Sequence, residues 1–175
     1  MKGSIAQCAE DLVRAKFGDE KWESVCEAAG LPANTRFLPS ANVDDGATVK
    51  VINAIGTVCG LSSTGVADAF GEYWVCDYAP RLYPSYFRGA NSARDLLLSM
   101  DSVHDKVTRT MPNAHPPKFG YNWTDENTLV MDYSSARGLV GIFVGLVKGV
   151  GLKYGENLAI STAGTRVTIR FPAAA

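Results

Sequence analysis

The sequence predicts an α+β fold, with a helical N-terminal half and a C-terminal half that combines an antiparallel sheet with one inserted helix. Three observations support this prediction. Apolar residues recur at helical spacing up to about Met111. Two pairs of strand-like segments follow, and each pair encloses a turn-forming sequence. A long apolar segment of helical length separates the two pairs.

Several helices are predicted in the N-terminal half. The fourth of them carries Phe70 and Trp74 on its apolar face, and Pro112 is expected to stop the last. The segment from Tyr78 to Arg88 contains two prolines among aromatic residues and is predicted to be a loop-rich connection. The predicted helices run from Met1 to Phe17, from Asp19 to a stop at Gly30, from Asp45 to Val58, from Ser62 or Ser63 to Trp74, and from Asn91 or Ser92 to Met111.

The C-terminal half is predicted to contain two hairpins. Thr124 to Asn127 forms the first turn and Ala163-Gly164 the second. Gly138 to Tyr154, which lies between the hairpins, is apolar at helical spacing and is predicted to be a buried helix. The predicted strands are Lys118 to Trp123, Leu129 to Tyr133, Asn157 to Ser161 and Thr165 to Phe171.

The composition argues against several classes of protein. The 17 basic and 18 acidic residues give a net charge of −1, which favours neither nucleic acid nor an acidic membrane as a partner. The 175 residues are 46% hydrophobic, which suits one domain with a core of its own. The cysteines form no C-x-x-C pair, and no segment has the pattern of a secretion signal, so we expect a cytoplasmic protein with reduced thiols. They are Cys8, Cys26, Cys59 and Cys76.

The most informative motif is Tyr133-Ser134-Ser135-Ala136-Arg137, which lies between a predicted strand and a predicted helix. Arginine can bind a carboxylate through two parallel N–H donors, and the tyrosine and serine hydroxyls offer further hydrogen-bond donors. His104 lies upstream on an apolar helix face and could bind a metal carried by the same ligand. Haem carries both a metal ion and carboxylates. On the pattern alone, His104 is also compatible with a buried structural histidine, and Arg137 with a strand cap or an ion pair to Asp132.

Further segments make the chain resemble the H-NOX family, the haem nitric oxide/oxygen binding domains that include the sensor domain of soluble guanylate cyclase. The start Met1-Lys2-Gly3-Ser4-Ile5 and the later Phe17-Gly18-Asp19-Glu20-Lys21-Trp22 resemble the family's opening helix and turn. Phe70-Gly71-Glu72-Tyr73-Trp74 resembles its fourth-helix motif. His104 precedes Pro117 by the family's spacing, and the Tyr-x-Ser-x-Arg motif is also matched. The resemblance covers essentially the whole chain.

The resemblance implies an H-NOX fold with haem b between the two halves. It implies that His104 ligates the iron, that Pro117 presses against the porphyrin, and that Tyr133, Ser135 and Arg137 bind the propionates. The implied residues on the other face of the haem are Ile5, Ala9, Phe70, Trp74, Ile142 and Leu146.

The identity of residue 142 bears on which gas would bind. Oxygen-binding members of the family have a tyrosine nine residues beyond the motif's tyrosine, and this chain has Ile142 there. Isoleucine donates no hydrogen bond, so the resemblance favours a sensor of nitric oxide that also binds carbon monoxide and excludes oxygen. The alternative is an oxygen binder that uses the indole N–H of Trp74.

The resemblance also implies a mechanism and a kind of partner. Release of His104 would let the haem relax and let a helical subdomain (about 1–62) move against the rest (about 63–175). Gly71 is either a hinge in this movement or a site of close helix packing. We expect a bacterial signalling protein that acts on a separate histidine kinase or cyclic-di-GMP enzyme.

Two other classes stay open at this point. An enzyme would use His104 with Arg137 as a carboxylate-binding group, but the chain contains no G-x-S-x-G nucleophile motif. We therefore expect no catalytic residues. A haem-free ligand-binding module with the same fold is the other class.

Overall fold

The computed structural model describes residues 1–111 and 113–173. It confirms the predicted α+β fold, with helices first and an antiparallel sheet with one inserted helix second. The elements are α1 (Gly3–Phe17), α2 (Asp19–Ala28), α3 (Asp45–Cys59), α4 (Ser63–Tyr73), the π-helix π1 (Trp74–Tyr78), α5 (Ala79–Leu82), α6 (Pro84–Phe87), α7 (Ala93–Leu98), α8 (Met100–Thr110), β1 (Lys118–Asp125), β2 (Thr128–Ser134), α9 (Val140–Tyr154), β3 (Ala159–Ala163) and β4 (Arg166–Arg170).

The first core lies among α1 to α4. Trp22 is its largest fully buried side chain, and its indole nitrogen donates to the Thr35 carbonyl at 3.1 Å. Side-chain caps define where two of the helices begin: Asp44 accepts from the Ala47 amide at the start of α3, and Ser62 accepts from the Gly65 amide at the start of α4. The first core continues beyond the predicted boundary near residue 62, since it includes Phe70.

The second core lies between the sheet and α9. The sheet order is β1-β2-β4-β3, with every neighbouring pair antiparallel. Met131 lies opposite Tyr121 on one side and Val167 on the other. Because side chains alternate along a strand, one face of the sheet is apolar and packs on Phe143 and Val147 of α9.

Two element predictions were wrong. The segment from Tyr78 to Arg88 contains two short helices rather than loop alone, because Pro80 and Pro84 lie in their first turns, where a fixed φ favours helix. The single helix predicted from about Ser92 is two helices, α7 and α8. The helix is interrupted at Ser99, whose hydroxyl donates to the Leu96 carbonyl at 2.8 Å.

The other boundaries differ from prediction by a few residues, and both hairpins are present. Gly164 occupies the second turn with a positive φ of 61°, a conformation that favours glycine. The predicted helix stop at Pro112 lies outside the described residues.

Helices α4 and α9 cross with their backbones in direct contact. A side chain at Gly71 would overlap the backbone of Gly145, and one at Gly145 would overlap the backbone of Ala67. Gly71 therefore allows close helix packing, which was one of its two predicted roles. This crossing joins the two cores, because Trp74 and Leu146 pack against both of them.

Across the described residues, no single helix has both the length and the apolar character needed to cross a bilayer. The strongly bent pair formed by α3 and the helical segment Ser63–Leu82 would qualify by length and composition alone.

Candidate functional site

An apolar cavity of about 290 Å³ lies between the two cores. The structure brings together around it every predicted site residue except Ala9, whose fully buried side chain belongs to the first core. We call the lining side chains from α1, α4, π1 and α9 the apolar wall: Ile5, Phe70, Trp74, Ile142 and Leu146. We call those from α8 and the loops and strand on the opposite side the polar wall: His104, Pro117, Tyr133, Ser135 and Arg137.

His104 is held in one tautomer. Its Nδ1 lies 3.1 Å from the Pro117 carbonyl oxygen. Because a carbonyl can only accept, Nδ1 carries the proton and Nε2 keeps its lone pair. Burial lowers the pKa of His104, although this hydrogen bond partly opposes the shift. The lowered pKa favours the neutral ring, which is the form that binds metals. The structure thus presents His104 in the form required of an iron ligand.

His104 is also supported by an aromatic ring that the sequence analysis missed. Phe119 stacks on the imidazole with ring centroids 5.7 Å apart and packs on Phe143 of the second core. The signal in the sequence was an aromatic residue two positions after Pro117, at the start of a predicted strand. Phe119 therefore connects the His104 ring to the packed face of the sheet.

Arg137 has partners that the sequence analysis did not predict. Its Nε donates to Asp45 Oδ2 at 2.7 Å, and its Nη1 donates to the His115 carbonyl at 2.5 Å. The predicted alternative partner, Asp132, instead pairs with Arg166. No sequence pattern links Asp45 to Arg137, because the two residues are 92 positions apart.

The other two residues of the motif have different surroundings. Tyr133 is buried at the end of β2 and stacks on Phe143 at 5.6 Å. The Ser135 hydroxyl accepts from the Arg137 backbone amide at 3.3 Å, which closes the turn after β2. The motif therefore places one hydroxyl, one phenol and one guanidinium on the same wall.

The polar wall continues into a second, more open cavity of about 1080 Å³. The two cavities share His104, Pro117, Phe119, Ser135 and Arg137 in their linings, so they meet at the polar wall. The larger cavity adds charged side chains, among them Asp45 and Lys118. An elongated ligand can thus have an apolar body in the inner cavity and charged groups at this mouth.

The apolar wall consists mainly of aliphatic and aromatic side chains. Trp74 stacks on Phe70 with ring centroids 5.8 Å apart and packs at a tilt against Tyr78 at 5.3 Å, all on one side of the α4–π1 segment. Three hydroxyl-bearing side chains that line the inner cavity were missed, namely Ser4, Tyr83 and Tyr86. Burial raises the pKa of Tyr83, which favours its neutral phenol.

A neutral histidine on one side of an apolar cavity, with an arginine and hydroxyls at its charged mouth, fits a haem group. The fold and the cavity therefore define a haem-binding sensor domain. The family model described as Haem-NO-binding matches residues 2–162, and the chain belongs to that family. The resemblance to H-NOX domains and the expectation of haem as the cofactor are confirmed.

Similar proteins with known structures support the fold. An oxygen-binding H-NOX domain related to soluble guanylate cyclases, solved as its oxygen complex, superposes with a TM-score of 0.81 at 22% identity, covering 98% of this chain and 95% of that one. A Cs H-NOX mutant with an unnatural phenylalanine derivative superposes at 0.84 with 21% identity, covering 98% and 96%.

Soluble guanylate cyclase gcy-37 of Caenorhabditis elegans is 26% identical over 152 residues, which are 85% of this chain and 22% of that protein. The chain thus spans less than a quarter of that relative's length.

Proposed function

We propose that this domain senses nitric oxide at ferrous haem, also binds carbon monoxide, excludes oxygen, and signals to a separate protein. The observation that carries this proposal is the contrast between the two walls of one cavity. His104 offers a metal-binding nitrogen on the polar wall, while Ile142 on the apolar wall offers no hydrogen-bond donor. When bound, haem supplies an iron centre that can take a diatomic gas.

The polar wall fits haem in both of its chemical requirements. His104 Nε2 is the ligating atom, because Nδ1 already donates to the Pro117 carbonyl. Arg137 lines both cavities, and its bonds to Asp45 and His115 use two of its five N–H donors. The remaining donors suit a propionate, with Tyr133 and Ser135 as neighbouring hydroxyl groups. Pro117 supplies a rigid apolar surface beside them.

The apolar wall supports the proposed gas selectivity. A hydrogen-bond donor on this wall would stabilise a gas that gains partial negative charge, as oxygen would, whereas nitric oxide would need no such donor. Ile142 and Leu146 provide only carbon atoms to the cavity. A missing charge-assisted hydrogen bond of about 1.5–3 kcal/mol weakens oxygen binding by about ten- to a hundredfold.

Trp74 supports the alternative of an oxygen binder, because it is an indole N–H donor on the apolar wall. Its ring stacks on Phe70 and packs at a tilt against Tyr78. This arrangement gives the side chain a packing role that needs no gas, so nitric oxide sensing is the better supported function.

The polar wall is also the side that can move. No residue of α8 is fully buried, and the helix carries His104 on its cavity-facing side. We infer that release of His104 frees α8 and lets the helical subdomain, about 1–62, shift relative to about 63–175. Output then passes to a separate protein, for which a histidine kinase or a cyclic-di-GMP enzyme is our candidate. The four free cysteines suit a reducing cytoplasm, and a bacterial host is part of the same proposal.

Absorption spectra of the reduced, haem-loaded protein under each gas test this function. We expect spectral changes with nitric oxide and with carbon monoxide, and none with air-saturated buffer before the iron oxidises. A stable oxy spectrum would contradict the proposed selectivity. The Trp74→Phe variant then separates the two candidates, since loss of that oxy spectrum would assign oxygen binding to the indole.

A substitution at Arg137 tests the proposed binding of a haem propionate. Arg137→Ala should lower haem occupancy after reconstitution, because a propionate then loses its charged partner. Arg166→Ala, which removes an exposed arginine from a different ion pair, is the matched control and should leave occupancy unchanged. Equal occupancy in both variants would contradict the assignment of Arg137.

A further inference from the structure

Asp45 occupies a position between the two halves of the molecule. It is the first residue of α3, after the cap Asp44, and therefore belongs to the helical half. Its Oδ2 accepts from Arg137 Nε at 2.7 Å, across the boundary between the halves. Its Oδ1 pairs with the amino group of Met1, so this carboxylate contacts two cations at once.

The same arginine connects Asp45 to the support of His104. Arg137 Nη1 donates to the His115 carbonyl at 2.5 Å. The segment His115-Pro116-Pro117 then continues to the Pro117 carbonyl, which accepts from His104 Nδ1 at 3.1 Å. Two consecutive prolines restrict this segment, since each has a fixed φ. Asp45, Arg137 and His104 are therefore joined through one stiff piece of backbone.

The geometry of the guanidinium shows what Asp45 contributes. The Nε–H of Arg137 donates to Asp45, and one N–H of Nη1 donates to the His115 carbonyl. A flexible arginine held at two points loses rotamer freedom before any ligand arrives, so less entropy is lost when a carboxylate binds. Asp45 is 47% exposed and Arg137 only 19%, so the pair is partly screened by water but the guanidinium is not free.

We propose that Asp45 is a positioning residue of the haem site, which holds Arg137 from the helical half so that the remaining guanidinium donors face a haem propionate. Asp45 itself does not touch the haem in this assignment. The inference rests on the proposed function for its ligand, while the Asp45–Arg137 pair can be tested without haem.

A double-mutant cycle tests the proposal, using Asp45→Asn, Arg137→Ala and the two together. The rate of haem loss to an excess of apomyoglobin is followed by absorbance. Asp45→Asn alone should speed haem loss by about two- to fivefold, the range expected for a half-exposed ion pair. In the Arg137→Ala background the same change should have no further effect, because Asp45 then has no arginine to hold.

Two variants serve as controls. Asp45→Glu keeps the charge and should restore a rate closer to that of the unaltered protein. Asp132→Asn breaks the exposed pair with Arg166, neither member of which lines a cavity, and should leave haem loss unchanged. If Asp45→Asn speeds haem loss by the same factor with and without Arg137, Asp45 acts on the fold and the proposal is overturned.

Urea unfolding of the haem-free proteins makes the two proposals separable. The unfolding midpoints of the four proteins should again be non-additive, because the ion pair exists before haem binds. Additive midpoints overturn the role of Asp45, whether or not haem is taken up. Non-additive midpoints in a chain that takes up no haem support the pair and refute the proposed function.

Discussion

The two walls of the cavity differ in how they are built. The apolar wall is carried by α1, α4, π1 and α9, and the α4–α9 crossing brings Gly71 and Gly145 into backbone contact. The polar wall is carried by α8, which has no fully buried residue, and by the loops around Pro117 and Arg137. Helix packing fixes the apolar wall, while hydrogen bonds to backbone carbonyls and to Asp45 hold His104 and Arg137 on the polar wall.

The largest expected effect comes from removing the central residue of the polar wall. His104→Gly should abolish haem retention, because the remaining contacts supply no iron ligand. Free imidazole should restore it by occupying the vacated space. Haem content after gel filtration, with and without imidazole, measures this. Lys106→Gly is the matched control, because it puts the same residue at an exposed position of α8 that lines neither cavity. Full loading of His104→Gly without imidazole would refute the assignment.

The next effect tests the apolar wall. Ile142→Tyr replaces a side chain without a hydrogen-bond donor by a phenol, and it should raise oxygen affinity by about ten- to a hundredfold through one hydrogen bond. Oxygen titration of the ferrous protein measures the change. Tyr83→Phe, which removes a hydroxyl from another part of the cavity lining, should leave oxygen affinity unchanged. An Ile142→Tyr protein that forms no oxy spectrum would show that residue 142 does not face the gas.

The helix crossing beneath the apolar wall can be broken directly. Gly145→Ala introduces a methyl group that overlaps the Ala67 backbone, and overpacking of this kind costs about 1–3 kcal/mol. Gly141→Ala, in the first turns of the same helix, meets no neighbour and should change stability by less than about 1 kcal/mol, in the favourable direction. Urea unfolding compares the two. Equal stability of both variants would contradict the close α4–α9 contact.

The smallest expected effect is on the pH dependence of the ion pair beside the polar wall. Hydrogen bonds from the Met1 amino group and from Arg137 lower the pKa of Asp45. A lowered folded-state pKa stabilises the protein above the unfolded value of about 4, and this stabilisation is lost as pH falls through the folded pKa.

The difference in unfolding free energy between the unaltered haem-free protein and Asp45→Asn should therefore shrink between about pH 6 and about pH 3. Urea unfolding at both pH values measures it, and a difference that grows on acidification would contradict the assigned contacts.

The sequence predicted what depends on local pattern. Helical spacing located α1 to α4 and α9, and alternation located the two hairpins. The motif from Tyr133 to Arg137 and its spacing from His104 identified one wall of the cavity before the structure did. These features could be predicted because each depends on residues close together in the chain or on a spacing that a family shares.

What the sequence did not predict depends on contacts between distant residues. In the sequence, Asp45 is only the predicted first residue of a helix. Its contact with Arg137 forms only in the folded protein. Ala9 has the right spacing for the apolar wall, but its side chain packs into the first core. The break at Ser99 arises because its hydroxyl bonds to the Leu96 carbonyl, whereas the apolar pattern continues through it.

The absorption spectrum of the unaltered chain, reduced and mixed with one equivalent of haem, tests the central claim most directly. If both walls enclose haem with His104 as its protein ligand, the spectrum should show a sharp Soret band that differs from that of free haem and saturates at one haem per chain. A protein that stays colourless after gel filtration would contradict the account.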